Sequence, residues 1–184
     1  MTPRVVLVGL PGAGKSTTGR RLARILAVPF ADSDDLVVAA AGCSVPDLFA
    51  RAGEAAFRDA EQAAVVAALD DFDGVLSLGG GALGRSATRA AIAASAVPVV
   101  VLRASVDVLL TRVGDAGTRP LLAGDPSGRL AVLAAERAPV YDELAAFAVD
   151  TDGRTPGQVA ASIAARLHER EPHNISVSTE DQPQ

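Results

Sequence analysis

The feature that most constrains the fold is a glycine-rich segment between an apolar run and a stretch of helical character. The segment GLPGAGKS, residues 9–16, completes the pattern G-x-x-x-x-G-K-[ST]. A strand is predicted before it at Arg4–Gly9, and a helix after it at Lys15–Ala27. Glycines in this context let successive backbone N–H groups point at one anion, and the helix N terminus adds its positive end. The pattern predicts a strand, a phosphate-binding loop and a helix of an α/β protein.

Lys15 is the only lysine among the 17 Lys and Arg residues of the chain. A slim ammonium enters a closed loop in which a planar guanidinium is too wide, and this predicts that Lys15 binds the β- and γ-phosphates. Ser16 would offer a hydroxyl to Mg²⁺. The alternative is a glycine-rich turn with an exposed lysine. A dinucleotide fingerprint is excluded, because Gly12 and Gly14 are followed by Thr17 where a third glycine is required.

Short β-branched runs alternate with longer alanine- and leucine-rich stretches of helical period, as in parallel βαβ units. The pattern predicts an α/β sandwich. Strands are predicted at Arg4–Gly9, Pro29–Asp32, Gly74–Leu78, Pro98–Leu102 and Ala146–Asp150. Helices are predicted at Lys15–Ala27, Asp34–Ala41, Val45–Ala52, Glu54–Asp71, Arg85–Ser95, Val106–Gly114, Gly128–Leu144 and Thr155–Arg170.

Length and charge limit the remaining possibilities. The 184 residues fit one domain, here residues 1–170, and the polar, aperiodic segment 171–184 is expected to be a flexible tail. A net charge of −5 argues against nucleic acid as a partner. Cys43 has no second cysteine to pair with, and no apolar run approaches the roughly 18 residues that span a bilayer. A soluble cytoplasmic protein without a membrane partner is expected.

The third predicted strand ends in Gly79, Gly80 and Gly81, where a P-loop enzyme often has an aspartate for the metal. The nearest carboxylates are Asp32, at the end of strand two, and Asp34, which opens the next helix on the same edge of the sheet. One would lie near the metal and the other near an acceptor hydroxyl. The alternatives are that Ser33, Asp34 and Asp35 merely cap the helix, and that the glycines merely form a tight turn.

Three further segments contain candidate residues. Glu54, Arg58 and Glu61 share one helix face, and from the residues alone a solvated salt-bridge ladder is the favoured interpretation. The glycine-flanked segment 114–128 contains Arg119 and is typical of a lid. Pro139 interrupts a helical pattern and places Arg137 just before an expected kink.

From about Pro3 to Leu167 the chain resembles the shikimate kinases. The resemblance rests on GLPGAGKST, DSD after strand two, FR at 57–58, GGG at 79–81, RPLL from Arg119 and RAPVY from Arg137, all in family order. It implies transfer of the γ-phosphoryl group of ATP to the 3-hydroxyl of shikimate, in the pathway to chorismate and the aromatic amino acids. It also implies a three-layer P-loop NTPase fold with five parallel strands in the order 2-3-1-4-5, and the chain is expected to be a monomer.

The resemblance also implies the role of each matching residue. Lys15, Asp34 and Arg119 would be catalytic, and residues 32–72 would form the shikimate-binding segment. Shikimate would contact Asp34, Arg58, Gly80, Arg137, Phe49 and Phe57. ATP would contact Gly12, Ala13, Gly14, Lys15, Ser16, Thr17, Arg112, Arg119 and Pro156, and Mg²⁺ would be held by Ser16 and Asp32.

Two other functions are compatible with the phosphate loop. A different small-molecule kinase of the same architecture, such as a gluconate kinase or a nucleoside monophosphate kinase, would need another acceptor. A GTPase would need a base-specificity motif of the N-K-x-D kind, which a chain whose only lysine is Lys15 cannot contain.

Overall fold

The computed structural model describes residues 1–113 and 125–170 of the chain. Within them, five parallel strands form one sheet in the order β2-β3-β1-β4-β5. Each strand lies within one residue of its predicted bounds at either end, so the predicted sheet is confirmed. The strands are β1 (Val5–Gly9), β2 (Phe30–Asp32), β3 (Val75–Ser77), β4 (Val99–Arg103) and β5 (Phe147–Asp150).

Helices connect consecutive strands and cover both faces of the sheet. Their ends lie within two residues of the predicted ones, and a short 3₁₀ helix at Ala82–Gly84 was not predicted. The helices are α1 (Lys15–Leu26), α2 (Ser33–Ala41), α3 (Val45–Asp71), α4 (Ser86–Ser95), α5 (Val106–Val113), α6 (Pro126–Leu144) and α7 (Pro156–Arg170).

Two helices contain a residue that commonly breaks or bends a helix. Within α3, Gly53 has φ 79° and ψ 176°, a conformation that favours glycine and divides the element where two separate helices are predicted. The helix α6 continues through Pro139 to Leu144, as the predicted helix does, so the proline does not end it. Arg137 therefore lies inside a continuous helix.

The core consists of two apolar layers, one on each side of the sheet. Val5 and Leu7 of β1 face Leu22 of α1 and Ile163 of α7. The alternate residues of the same strand, such as Val8, face α3 and α4 in a second cluster. Each layer is made almost entirely of aliphatic side chains, which suits strands that are buried on both faces.

One edge of this sheet gathers the phosphate loop, Asp32 and the glycine turn after β3. The carboxyl ends of β1, β2 and β3 lead into the phosphate loop, into Asp32 and into Gly79 respectively. Because the strands are parallel, these segments lie side by side, and such an edge is where open α/β sheets bind ligands.

Among the described residues, none of the helices taken singly has the length and apolar character to cross a membrane. The bent pair Ser33–Ala41 and Val45–Asp71 meets that test by length and composition.

Candidate active site

The phosphate loop is closed around the side chain of Lys15. Its Nζ donates to the carbonyl oxygens of Gly9 at 2.9 Å and of Leu10 at 3.2 Å. Gly9 and Gly12 have φ 151° and 84°, and a Cβ on Gly9 would lie 2.6 Å from the Leu102 carbonyl oxygen. The loop therefore requires glycine, and the lysine is partly buried rather than free on an exposed turn. The exposed-lysine alternative is wrong.

The N terminus of α1 faces this loop with its positive end. Gly14 is the N-cap, and within the described part of the chain no side chain bonds to the cap and no acidic residue lies in the first turn. In the described part of the chain, neither a capping side chain nor an acidic residue of this turn therefore competes with a ligand for its N–H groups. The Ala13 N–H, by contrast, donates to the Leu10 carbonyl oxygen at 3.1 Å. The helix end suits an anionic ligand.

Ser16 and Asp32 lie together at the edge of the sheet. Ser16 Oγ donates to Asp32 Oδ2 at 2.7 Å, and the other oxygen of Asp32 accepts from the Asp34 N–H at 3.3 Å. Asp32 is therefore the N-cap of α2. Ser33 Oγ instead accepts from the Gly79 N–H at 2.7 Å. The interpretation of Ser33, Asp34 and Asp35 as the helix cap is wrong, and the Asp34 carboxylate is left for another role.

The Asp34 carboxylate points across the glycine turn that follows β3. A Cβ on Gly79 would lie 2.6 Å from Asp34 Oδ1 and 2.7 Å from Glu61 Oε1, so two carboxylates converge over this glycine. Partial burial raises the pKa of Asp34, although the residue remains exposed to solvent, and the nearby Asp32 raises it further. Lys15 and Arg58 oppose that shift. Asp34 is thus a carboxylate whose protonation is sensitive to its neighbours.

Arg58 and Glu61 form a buried ion pair on α3. Arg58 Nη1 lies 2.7 Å from Glu61 Oε2, and the two side chains are 19% and 2% exposed. Burial raises the pKa of Glu61, and Arg58 opposes this. Arg58 also approaches Glu54 at 3.5 Å. The predicted ladder of salt bridges is therefore present. Because Glu61 lies in the interior, the interpretation of the ladder as solvated is wrong for the pair Arg58–Glu61.

Two phenylalanine rings line the side of Arg58. The guanidinium carbon of Arg58 lies 5.1 Å from the centroid of the Phe57 ring. Phe49 contacts Phe57 with their ring centroids 4.8 Å apart, and Phe49 remains 36% exposed whereas Phe57 is buried. An apolar wall beside a cationic group suits a small ligand with a ring and a carboxylate.

Arg58 of α3 and Arg137 of α6 both lie beside the glycine turn. A Cβ on Gly81 would collide with the guanidinium of Arg58, and one on Gly80 would lie 3.3 Å from Arg137 Nη1. None of the three glycines has a left-handed backbone. The space that side chains would take is filled by Asp34 and Glu61 at Gly79, by Arg58 at Gly81, and less tightly by Arg137 at Gly80. Among the described residues Arg137 Nη1 is buried without a hydrogen-bond partner, so it is available to an anion.

Arg112 and Pro156 lie at the other end of the same edge, beyond β5. Two of the three guanidinium nitrogens of Arg112, Nη1 and Nη2, donate to Thr151, and Pro156 begins α7. The segment between Thr151 and Pro156 therefore connects the two residues predicted to contact the nucleotide.

The sequence analysis did not single out Ser77, and it treated Glu61 as a solvated residue. Ser77 is fully buried at the end of β3, in register with Asp32, and its Oγ has no partner among the described residues. A serine in the apolar run VLSL was the available signal. For Glu61 no local signal was available, because its burial comes from tertiary packing.

Arg119 and most of the segment 114–128 lie outside the described residues, as does the segment 171–184. The predictions of a lid and of a tail therefore stay predictions.

A phosphate loop, a carboxylate with a raised pKa and two arginines lie at one edge of a 2-3-1-4-5 parallel sheet, and these are features of a P-loop kinase for a small molecule. A sequence model of the family "Shikimate kinase" matches residues 11–168 of the chain. The chain belongs to the shikimate kinase family.

Individual relatives agree with this assignment. A shikimate kinase of Mycobacterium tuberculosis is 47% identical over 168 residues, which cover 91% of this chain and 94% of the relative. That of Mycobacterium marinum is 43% identical over 180 residues, covering 97% of each. Among solved structures, a shikimate kinase from Acinetobacter baumannii in complex with shikimate superposes with a TM-score of 0.86 at 31% identity, covering 94% of this chain and 96% of that one.

Proposed function

We propose that this chain transfers the γ-phosphoryl group of ATP to the 3-hydroxyl of shikimate, giving shikimate 3-phosphate and ADP on the route to chorismate and the aromatic amino acids. The observation that carries this proposal is the convergence of Asp34, Arg58 and Arg137 on the side-chain-free turn after β3. A ring that carries one carboxylate and neighbouring hydroxyls matches these groups.

The two arginines are proposed to hold the shikimate carboxylate. A guanidinium offers paired N–H groups in the geometry of a carboxylate. Glu61 already occupies one side of Arg58, which fixes that side chain. Phe49 and Phe57 would cover the apolar face of the ring, and Gly80 would let the substrate approach the backbone.

Asp34 is proposed to orient the acceptor hydroxyl and take its proton as the new P–O bond forms. The carboxylate is not engaged as the helix cap, because Asp32 has that role. Lys15 and the N terminus of α1 would stabilise the negative charge on the moving phosphoryl group. Arg119 is assigned to the same phosphates by its sequence match alone.

The residues that face the phosphate loop suit Mg²⁺. The Ser16 hydroxyl and the Asp32 carboxylate are adjacent, and the unpartnered hydroxyl of Ser77 suits a water on such an ion. In residues 1–113 and 125–170 no group of three or more His, Cys, Asp or Glu residues could hold a metal by itself. Mg²⁺ would therefore be held by Ser16 and Asp32 together with oxygen atoms of the ATP phosphates. When bound, it would neutralise part of the phosphate charge.

Domain limits, oligomeric state and location are proposed on the sequence. We assign residues 1–170 to one kinase domain, with 32–72 as the shikimate-binding segment and 114–128 as a lid. The chain is taken to work as a monomer in the cytoplasm.

Replacing Arg137 with alanine is expected to weaken shikimate binding and leave ATP binding near normal. The charged hydrogen bonds lost are worth about 1.5–3 kcal/mol, or roughly 10- to 150-fold in affinity. Arg58→Ala is expected to do the same and also to lower the melting temperature, because it leaves the buried Glu61 without its partner. Separate titrations with shikimate and ATP, together with thermal melts, measure these effects.

The matched control for these variants is Arg51→Ala, which removes an exposed arginine from the same helix as Arg58. It is expected to leave both affinities unchanged. Equal losses of shikimate and ATP affinity in Arg58→Ala would instead assign this residue to the folding of α3.

The pH dependence of the reaction is expected to show the raised pKa of Asp34. Asp34 can take the proton of the acceptor hydroxyl only in its ionised form. We therefore expect kcat/KM for shikimate to fall as the pH decreases through the pKa of Asp34, which lies above the ordinary aspartate value of 3.8. Shikimate has its own carboxylate, so the informative quantity is the ratio of wild-type kcat/KM to that of Asp34→Asn. This ratio is expected to fall with decreasing pH, and a constant ratio down to pH 4 would contradict the assigned role.

An ADP-release assay tests the proposed activity against its rivals. Release of ADP is expected to depend on shikimate and to stay at the background rate with gluconate or AMP. Turnover with gluconate or AMP and none with shikimate would assign the pocket to another acceptor.

A further inference from the structure

Arg112 at the end of α5 is tied to one residue of the segment after β5. Its Nη1 donates to Thr151 Oγ1 and its Nη2 to the Thr151 carbonyl oxygen, both at 2.8 Å. Because a guanidinium is planar, two bonds from separate nitrogens to one residue fix its orientation as well as its position. The Arg112 residue remains exposed despite these two bonds.

Thr151 is itself held by the sheet. It is 3% exposed, and its N–H donates to the Arg103 carbonyl oxygen at 2.8 Å, which extends the pairing of β4 with β5 by one bond. Its carbonyl oxygen also accepts from the Arg154 N–H at 3.3 Å. The acceptors that orient Arg112 therefore belong to a rigid part of the fold.

The same segment fixes Pro156. Thr155 and Gln158 exchange bonds in the manner of a capping box: the Thr155 N–H donates to Gln158 Oε1 at 2.9 Å, and the Gln158 N–H donates to Thr155 Oγ1 at 3.3 Å. The Arg154 side chain donates to the carbonyl oxygens of Asp150 at 3.1 Å and Gln158 at 3.0 Å. Residues 151–156 thus form a braced connection between Arg112 and Pro156.

We propose that Thr151 is a positioning residue for the nucleotide: it fixes the plane of Arg112, which the resemblance to the family places, together with Pro156, beside the base of ATP. This inference rests on the proposed function, which assigns ATP to this edge of the sheet. An arginine without the two bonds would lose rotamer freedom at every binding event, and the affinity for the base would fall accordingly.

The test compares Thr151→Val, which keeps the shape of the buried side chain but removes the hydroxyl acceptor, with Thr151→Ser, which restores it. The probes are Mg·ADP, which contains the base, and Mg·pyrophosphate, which binds the phosphate loop without one. Thr151→Val is expected to raise the Kd of ADP by about three- to tenfold, the effect of one hydrogen bond. Pyrophosphate and shikimate affinities and the kcat at saturating ATP are expected to stay within about twofold, and Thr151→Ser is expected to resemble the wild type.

An Arg112→Ala background separates positioning from a general structural effect. If Thr151 acts through Arg112, Thr151→Val has no further effect on ADP binding in that background. Unchanged ADP affinity in Thr151→Val, or equal weakening of ADP and pyrophosphate, would overturn the inference. An unchanged ADP affinity in Arg112→Ala would overturn it together with the nucleobase assignment, while the shikimate-dependent release of ADP by the wild type tests the proposed activity separately.

Discussion

Lys15→Ala is expected to leave a folded protein that has lost most of its activity. The side chain is held within the phosphate loop by two carbonyl oxygens, and it is the compact positive charge that the loop places beside a bound phosphate. Loss of one preorganised contact to the transferring group costs roughly 3–4 kcal/mol, or about 10²- to 10³-fold in kcat. Steady-state kinetics and a thermal melt measure the two effects separately.

The decisive control at this position is Lys15→Arg, which keeps the charge. The loop closes on the ammonium at 2.9 and 3.2 Å, which leaves little space for a planar guanidinium. This variant is expected to lose nearly as much activity as Lys15→Ala. Near-normal kcat in Lys15→Arg would show that charge alone suffices and that our reason for the single lysine is wrong.

Asp34→Asn is expected to reduce kcat far more than it raises the KM for shikimate. The amide keeps the shape and some hydrogen bonding, but it cannot take a proton, and general-base contributions are worth about 10²-fold or more. Because Asp32 provides the helix cap, the substitution is not expected to disturb α2.

The next residue of the helix, Asp35, supplies the matched control. Its side chain is 74% exposed and lies 3.9 Å from the similarly exposed Arg20. Asp35→Asn is expected to leave kcat and KM unchanged. If Asp34→Asn behaved in the same way, Asp34 would have no part in the chemistry.

The sequence predicted the framework of this protein because the framework depends on local pattern. Apolar runs of strand length, helical periodicity and the glycines of the phosphate loop act within a few residues of each other. Even the division of α3 at Gly53 was visible, since a glycine between two helical patterns tolerates a left-handed backbone. Pro139 lies inside α6 without ending it, as the helical pattern on both sides of it predicted.

The chemistry of the site depends on contacts between distant segments, and the residues alone could not settle it. Spacing put Arg58 and Glu61 on one helix face but could not show that Glu61 is buried against the turn at Gly79. The GGG sequence was compatible with a tight turn, but only the structure shows that charged side chains from α2, α3 and α6 surround that turn. Resemblance to a family supplied the roles of these residues before their contacts were known.

The most direct test of the proposed activity is the position of the phosphate on the product. Phosphorus–proton correlation NMR of the product formed from ATP and shikimate reports which ring carbon bears the new phosphate ester. We expect a single ester signal correlated with the proton at position 3, formed together with ADP. Inorganic phosphate without an ester, or an ester at another hydroxyl, would contradict the assignment of Asp34 and the two arginines to this acceptor.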